Sequence, residues 1–220
     1  YDDLMIPDSV EELENCSHYN NYLLKIKVSP KNKNFILFDD KYIIGKTDRK
    51  SDEFDSLVVF QSKDSEVNIP SFIKRIESYC FVNTYGNDTI NIPFDSQLRI
   101  IESNAFTGTS ITKLFIPEYL ADLNDGWCEE TKHLIEIKVH QNNKRFIYFQ
   151  NKLLISKTNE ESEEYDKIIF CRRDIEEIEI PSFIKIIGSY SFNKCDKLKS
   201  ITFESNSNLE IIEKHSFSYS

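Results

Sequence analysis

Five cysteines (Cys16, Cys80, Cys128, Cys171 and Cys195) and four histidines (His18, His133, His140 and His215) are the side chains of this sequence best able to ligate a metal or act as nucleophile and base. Their spacing supports neither chemistry. A structural zinc site brings thiolates in close pairs, and no C-x-x-C occurs. The histidines show no i, i+4 pairing, and no G-x-S-x-G elbow presents a serine. With only 5 glycines, spread singly, no glycine-rich loop can cradle phosphate. The 37 acidic residues fall in loops and on polar strand faces, where charge keeps a chain soluble. The expectation is a protein that is not an enzyme, with no cofactor or metal, whose cysteines are small buried thiols in an aromatic core.

Binding and modification motifs are more suggestive. Lys31-Asn-Lys33 and Asn142-Asn-Lys-Arg145 are matched basic clusters, each followed by an acidic loop (Asp52-Glu53; Glu160-Glu161 and Glu163-Glu164). Each cluster taken alone reads as a solvated turn. Their recurrence makes Lys31, Lys33, Lys144 and Arg145 candidates for a multivalent binding surface. Asn15-Cys-Ser17 and Asn87-Asp-Thr89 fit the N-x-[ST] pattern, so Asn15 and Asn87 are candidate glycosylation sites in a secreted eukaryotic protein. The 27 basic against 37 acidic residues give a net charge of −10 with no basic stripe, which argues against nucleic acid as a partner. No run of 18 apolar residues exists to enter a membrane in this segment.

The elements that must position these residues come from repetition. Ile69 to Phe81 and Ile180 to Phe192 are identical at ten of thirteen positions, 111 residues apart (69 to 180). The same offset carries Phe35-Ile36 onto Phe146-Ile147, Ile44 onto Ile155, and Ile100-Ile101-Glu102 onto Ile211-Ile212-Glu213. Residues 1–110 and 111–220 are therefore two copies of one unit. Inside each copy a shorter period runs: Ile69, Ile92 and Ile116 are 23 and 24 residues apart and each precedes Pro. A period in the twenties signals a solenoid whose turns bury their apolar sides only by stacking. Alternations such as Glu177-Ile-Glu-Ile180 read as half-buried strands, and each turn is expected to close with a helical or 3₁₀ segment ending at Phe81, Phe106, Phe192 or Phe217. Two apolar runs around Asp39-Asp40, and again around Gln150-Asn151, read as β-hairpins.

The pattern of Ile-x-Ile-Pro, then Ile, then Phe resembles the BspA-like class of leucine-rich repeats. Val67 to Phe81, Ile178 to Phe192, Leu98 to Phe106 and Leu209 to Phe217 carry the resemblance, which covers essentially the whole chain. The family's Gly after the second Ile survives only as Gly188, with Glu77, Glu102 and Glu213 in the other turns.

That resemblance implies an α/β, strongly β-rich fold: one right-handed leucine-rich-repeat solenoid of short parallel strands over residues 1–220, with one β-hairpin insertion per unit. Because a turn begins near Ile6 and the chain stops just past Phe217, it reads as a piece of a longer array. Members of this class are mostly surface or secreted proteins implicated in adhesion. The resemblance thus implies a non-enzymatic cell-surface or secreted module that binds host or microbial protein or glycan, such as a host-cell or extracellular-matrix component. An intracellular scaffold of the same fold, mediating protein–protein contacts with reduced thiols, is the alternative.

Overall fold

The computed structural model describes residues 3–14, 25–62, 64–82 and 89–220, and the structural statements below concern these residues. Each turn contributes a first strand whose alternation puts one or two side chains inward. These strands are Leu4–Ile6, Ile26–Val28, Glu66–Asn68, Thr89–Asn91, Lys113–Ile116, Glu136–Val139, Glu177–Ile180 and Ser200–Phe203. They stack in parallel ladders with aligned inward residues, for example Val67 opposite Ile90, Leu114 opposite Ile137 and Ile178 opposite Ile201. The turns form a β-solenoid of about 8 coils.

A second strand follows the first in most of these turns. Ser56–Phe60, Arg75–Ile76, Ile100–Ile101 and Asp122–Leu123 run parallel in one sheet, and Lys167–Cys171, Ile186–Ile187 and Ile211–Ile212 run parallel in another. Each sheet is extended at one side by an antiparallel pair. Ile36–Phe38 pairs with Tyr42–Gly45, and Phe146–Phe149 pairs with Leu153–Ser156. Within the three-residue connections 39–41 and 150–152, Asp39, Asp40, Gln150 and Asn151 all have φ near +50°, the left-handed twist that such a tight reversal needs. Both copies shift register at the same place, between Ile43 and Ile44 and between Leu154 and Ile155.

The α/β expectation is corrected: among the described residues there is no helix. The closing segments are consecutive tight turns, and the cause is backbone handedness. In the segment ending at Phe81, Cys80 N–H donates to the Glu77 carbonyl and Val82 N–H donates to the Tyr79 carbonyl. Between those two bonds Tyr79 sits at φ +61°, which breaks the run of right-handed residues a 3₁₀ helix requires. Asn104, Gly126, Tyr190 and His215 take the same left-handed conformation at the same place in their turns. What holds them there is the stack: Phe81 N–H donates to the Ala105 carbonyl, Phe106 N–H to Trp127 and Phe192 N–H to Ser216. A helix would turn those donors back into its own turn.

An aromatic spine fills the core. Ring centroids step from Tyr42 to Phe60 at 5.4 Å, to Phe81 at 5.5 Å, to Phe106 at 5.3 Å, to Trp127 at 6.2 Å and to Phe170 at 6.0 Å. Phe192 and Phe217 continue the motif at 5.0 Å. From Phe60 to Phe170 the rings occupy successive turns, so Phe81, Phe106 and Trp127 each belong to two inter-turn interfaces at once.

Candidate functional site

The basic clusters sit where the chain enters the antiparallel pairs, on the second and sixth coils. Lys31, Lys33 and Lys144 are exposed, while Arg145 is half-buried with its Nη1 out of solvent and without a hydrogen-bond partner. The clusters recur for a structural reason. Within each cluster lies a buried asparagine, Asn32 or Asn143, that ties the corner together. Asn143 Nδ2 donates to the carbonyls of Pro117 (2.8 Å) and Leu120 (2.9 Å), and its Oδ1 accepts from Arg145 N (2.9 Å) and Phe146 N (2.9 Å). Asn32 repeats this, donating to Pro7 and Val10 and accepting from Asn34 and Phe35. Asn15 and Asn87 lie outside the described residues, as do Cys16 and His18.

The sequence reading missed a hollow of about 540 Å³ on the first-strand side of the fourth to sixth coils. At its edge Phe94 is 71% exposed, its ring 4.4 Å from that of His140 and stacked with Phe115 at 6.2 Å. A signal was present, because Phe94 follows Ile-Pro where the other turns carry Asp8, Ser71, Glu118 or Ser182. His140 is only 5% exposed, and its Nδ1 accepts from Asn142 N at 3.1 Å. In the neutral ring this leaves the proton on Nε2, which has no partner. The Tyr148 hydroxyl, also lining the hollow, is buried without a partner, and burial pushes its pKa up to about 12. An exposed ring beside unsatisfied polar atoms is suited to holding a partner's apolar face and one or two of its polar groups.

The thiols form a second cluster of chemical interest, inside the core. Cys80, Cys128, Cys171 and Cys195 are buried and free. Three of them surround Arg173, itself only 3% exposed, which sequence reasoning had no means to pair with them. Arg173 Nη1 lies 3.6 Å from Cys195 Sγ and Nη2 lies 3.5 Å from Cys128 Sγ, while the guanidinium covers the Phe170 ring at 4.5 Å. Nη1 also donates to the Ser191 carbonyl at 3.1 Å. A buried cation needs a counter-charge, and of these sulfurs Cys195 is the one whose thiolate supplies it. A hydrogen bond from the Cys171 thiol, together with the guanidinium, outweighs burial and lowers the Cys195 pKa to about 7. Burial pushes Cys80, Cys128 and Cys171 up instead.

The sign of the pH effect follows from proton counting. Between about pH 7 and the ordinary thiol value, the folded chain has released the Cys195 proton and the unfolded chain still holds it. Cys195 should therefore make stability rise with pH through the lower part of that window. As pH approaches the ordinary thiol value the three raised thiols act oppositely, because the folded chain keeps protons that the unfolded chain sheds. Urea titrations at pH 7 and pH 8 should show the gain, and Cys195→Ser should flatten it. Parallel profiles for the two proteins would remove Cys195 as the cause.

The described residues contain no group of three or more His, Cys, Asp or Glu arranged to hold a metal. No helix among them is long and apolar enough to cross a membrane. Solved structures share the fold. The pneumococcal vaccine antigen PcpA superposes with a TM-score of 0.64 at 21% identity, covering 94% of this chain and 46% of that one. A leucine-rich cell surface protein from Faecalibacterium prausnitzii A2-165 superposes with a TM-score of 0.60 at 18% identity, covering 96% of this chain and 56% of that one. The chain thus spans about half the length of these relatives. No curated protein sequence matches it. The model of the BspA type leucine-rich repeat region matches in six copies over residues 59–159 and 163–220. With more than half of its sequence so matched, and with stacked Ile-x-Ile-Pro coils closed on buried phenylalanines, the chain belongs to the BspA-type leucine-rich repeat family.

Proposed function

We propose that this chain is a non-enzymatic recognition module of a cell-surface or secreted protein. On this reading it is a single right-handed solenoid that binds a host or microbial protein or glycan through its outer surface. The observation that carries the reading is Phe94, an aromatic ring 71% exposed at the rim of a hollow containing unsatisfied polar atoms. Such a ring costs solubility when unoccupied, and exposed aromatics are enriched where partners dock. Family membership supports the reading, as does likeness to two solved structures, one of a vaccine antigen and one of a cell surface protein.

Staining of intact source cells with an antibody against this chain should give a signal that brief protease treatment removes. Purified protein should bind host cells or matrix, and Phe94→Ala should weaken that binding about tenfold or more without altering thermal unfolding. Staining only after permeabilisation would overturn the surface reading. It would favour an intracellular scaffold, to which the four buried unpaired thiols give some support. Unchanged binding by Phe94→Ala would remove the hollow as the docking point.

A further inference from the structure

The duplication supplies an internal comparison that isolates one site. A groove lies beside the antiparallel pair in each unit, lined at equivalent positions. In the first unit Asn34, Phe35, Lys46 and Ser56 face it, and in the second Arg145, Phe146, Lys157 and Lys167 do. The first groove holds about 150 Å³ and the second about 520 Å³. The difference has identifiable causes. In the first unit Arg49 reaches Glu12 at 3.0 Å across the groove, and Glu77 accepts from the Ser56 hydroxyl. In the second unit Arg49 is replaced by Glu160 and Glu77 by Gly188, so neither closure can form. Gly188 admits no side chain there, since a Cβ would meet the Ile168 carbonyl oxygen at 2.5 Å.

The exchanges also change the charge. Arg145 replaces Asn34 and brings a buried Nη1 that no group in the protein satisfies. Lys157 is 5% exposed, held 5.0 Å from the Tyr165 ring, with its nearest carboxylate the exposed Glu163 at 3.9 Å. Lys167, by contrast, is taken by Glu213 at 2.7 Å. Two cations thus line an open groove without a close counter-ion, in a chain of net charge −10. The remaining lining mixes apolar side chains, among them Leu123, Trp127 and Ile169, with polar ones, including the carboxylates of Asp122 and Asp125 and the hydroxyl of Ser103.

We propose that the second-unit groove binds an acidic oligosaccharide built from uronic acids, with Arg145 and Lys157 holding a sugar carboxylate and Asp122 and Asp125 accepting from sugar hydroxyls. A carboxylate would give the Arg145 Nη1 the partner it lacks and Lys157 a closer one than Glu163 at 3.9 Å. The acidic residues beside them fit a ligand that also carries many hydroxyl donors, which an acidic peptide lacks. The volume suits more than one sugar ring. The first-unit groove, closed by its own ion pair, does not bind.

This deepens the recognition reading and rests on it. The test is calorimetric titration of the chain with tetragalacturonate, with neutral maltotetraose and with tetraglutamate. Tetragalacturonate should bind with a Kd below about 1 mM, and maltotetraose and tetraglutamate at least about tenfold more weakly. Arg145→Asn, which installs the first unit's residue, and Lys157→Met should each weaken tetragalacturonate at least about tenfold with unfolding temperature unchanged, and Lys33→Asn should do nothing. No heat up to about 5 mM tetragalacturonate, equal binding of maltotetraose or tetraglutamate, or insensitivity to both groove variants would overturn the assignment. Cell or matrix binding that survives Arg145→Asn while Phe94→Ala abolishes it would overturn the groove as the contact and leave surface recognition standing.

Discussion

Phe106→Ala is expected to lower the unfolding free energy by about 3–5 kcal/mol, the range for deleting a fully buried aromatic ring. The ring is wholly buried, stacked on Phe81 at 5.3 Å and edge-on to Trp127 at 6.2 Å. A solenoid coil has no core of its own, so its stability is a sum over interfaces with its neighbours. Removing Phe106 opens a cavity that touches two interfaces at once, and the residues on either side cannot collapse into it without breaking the stack of closing turns. Phe106→Leu keeps most of the volume and should cost about 1–2 kcal/mol. Phe94→Ala, at an exposed ring, should cost within about 0.5 kcal/mol and serves as the control. Urea unfolding followed by circular dichroism gives all three. A loss below about 1 kcal/mol for Phe106→Ala would contradict the spine as a source of stability. If the coils on either side uncouple, the transition should also broaden, because a one-dimensional stack loses cooperativity at its weakest interface.

The spine and the first strands were legible because burial enforces periodicity. Ile69, Ile92 and Ile116 must each point inward in a ladder, and any drift in spacing would expose them. Closure of the turns was not legible in the same way. An apolar segment ending in Phe suggests a helical turn on local propensity, yet Tyr79 and Tyr190 sit in left-handed conformations that their type disfavours. Asn104, Gly126 and His215 are the three of the five whose types favour that conformation. The compensation comes from hydrogen bonds to the next coil, some 25 residues away in the case of Phe81 to Ala105. No local window contains that partner.

The candidate sites divide along the same line. Phe94 breaks a repeat position and could be read from the sequence by comparing turns. Arg173 could not, because Cys128 and Cys195 reach it from 45 and 22 residues away. The basic clusters show a third case, in which recurrence is real and its carrier is a neighbouring residue. Lys31 and Lys33 on one coil flank the buried Asn32, and Lys144 and Arg145 on another follow its buried counterpart Asn143. Recurrence marks what the fold needs. The departure from recurrence, Arg145 for Asn34, marks what only one unit has.

Asn143→Ala is accordingly expected to cost about 3 kcal/mol, more than any of the exposed lysines beside it. The side chain is buried and satisfies the carbonyls of Pro117 and Leu120 and the amides of Arg145 and Phe146. Truncation leaves the Leu120 carbonyl and the amides of Arg145 and Phe146 without this partner, while the Pro117 carbonyl keeps the Leu120 N–H, and each orphaned group carries a desolvation penalty of about 1 kcal/mol. Asn143→Asp separates the two halves of the clamp. The aspartate can still accept from Arg145 and Phe146, but when ionised it points an anion at carbonyl oxygens. Its folded pKa would lie above the unfolded value, so its stability is retained below the unfolded carboxylate pKa and lost as pH rises toward neutrality. Chemical unfolding should therefore show Asn143→Asp closer to wild type at pH 4 than at pH 7, while the deficit of Asn143→Ala stays constant between them. Lys144→Ala, one residue away and exposed, should remain within about 0.5 kcal/mol of wild type. If Asn143→Ala were as mild as Lys144→Ala, the recurrence of this motif would have to be explained by the cations after all.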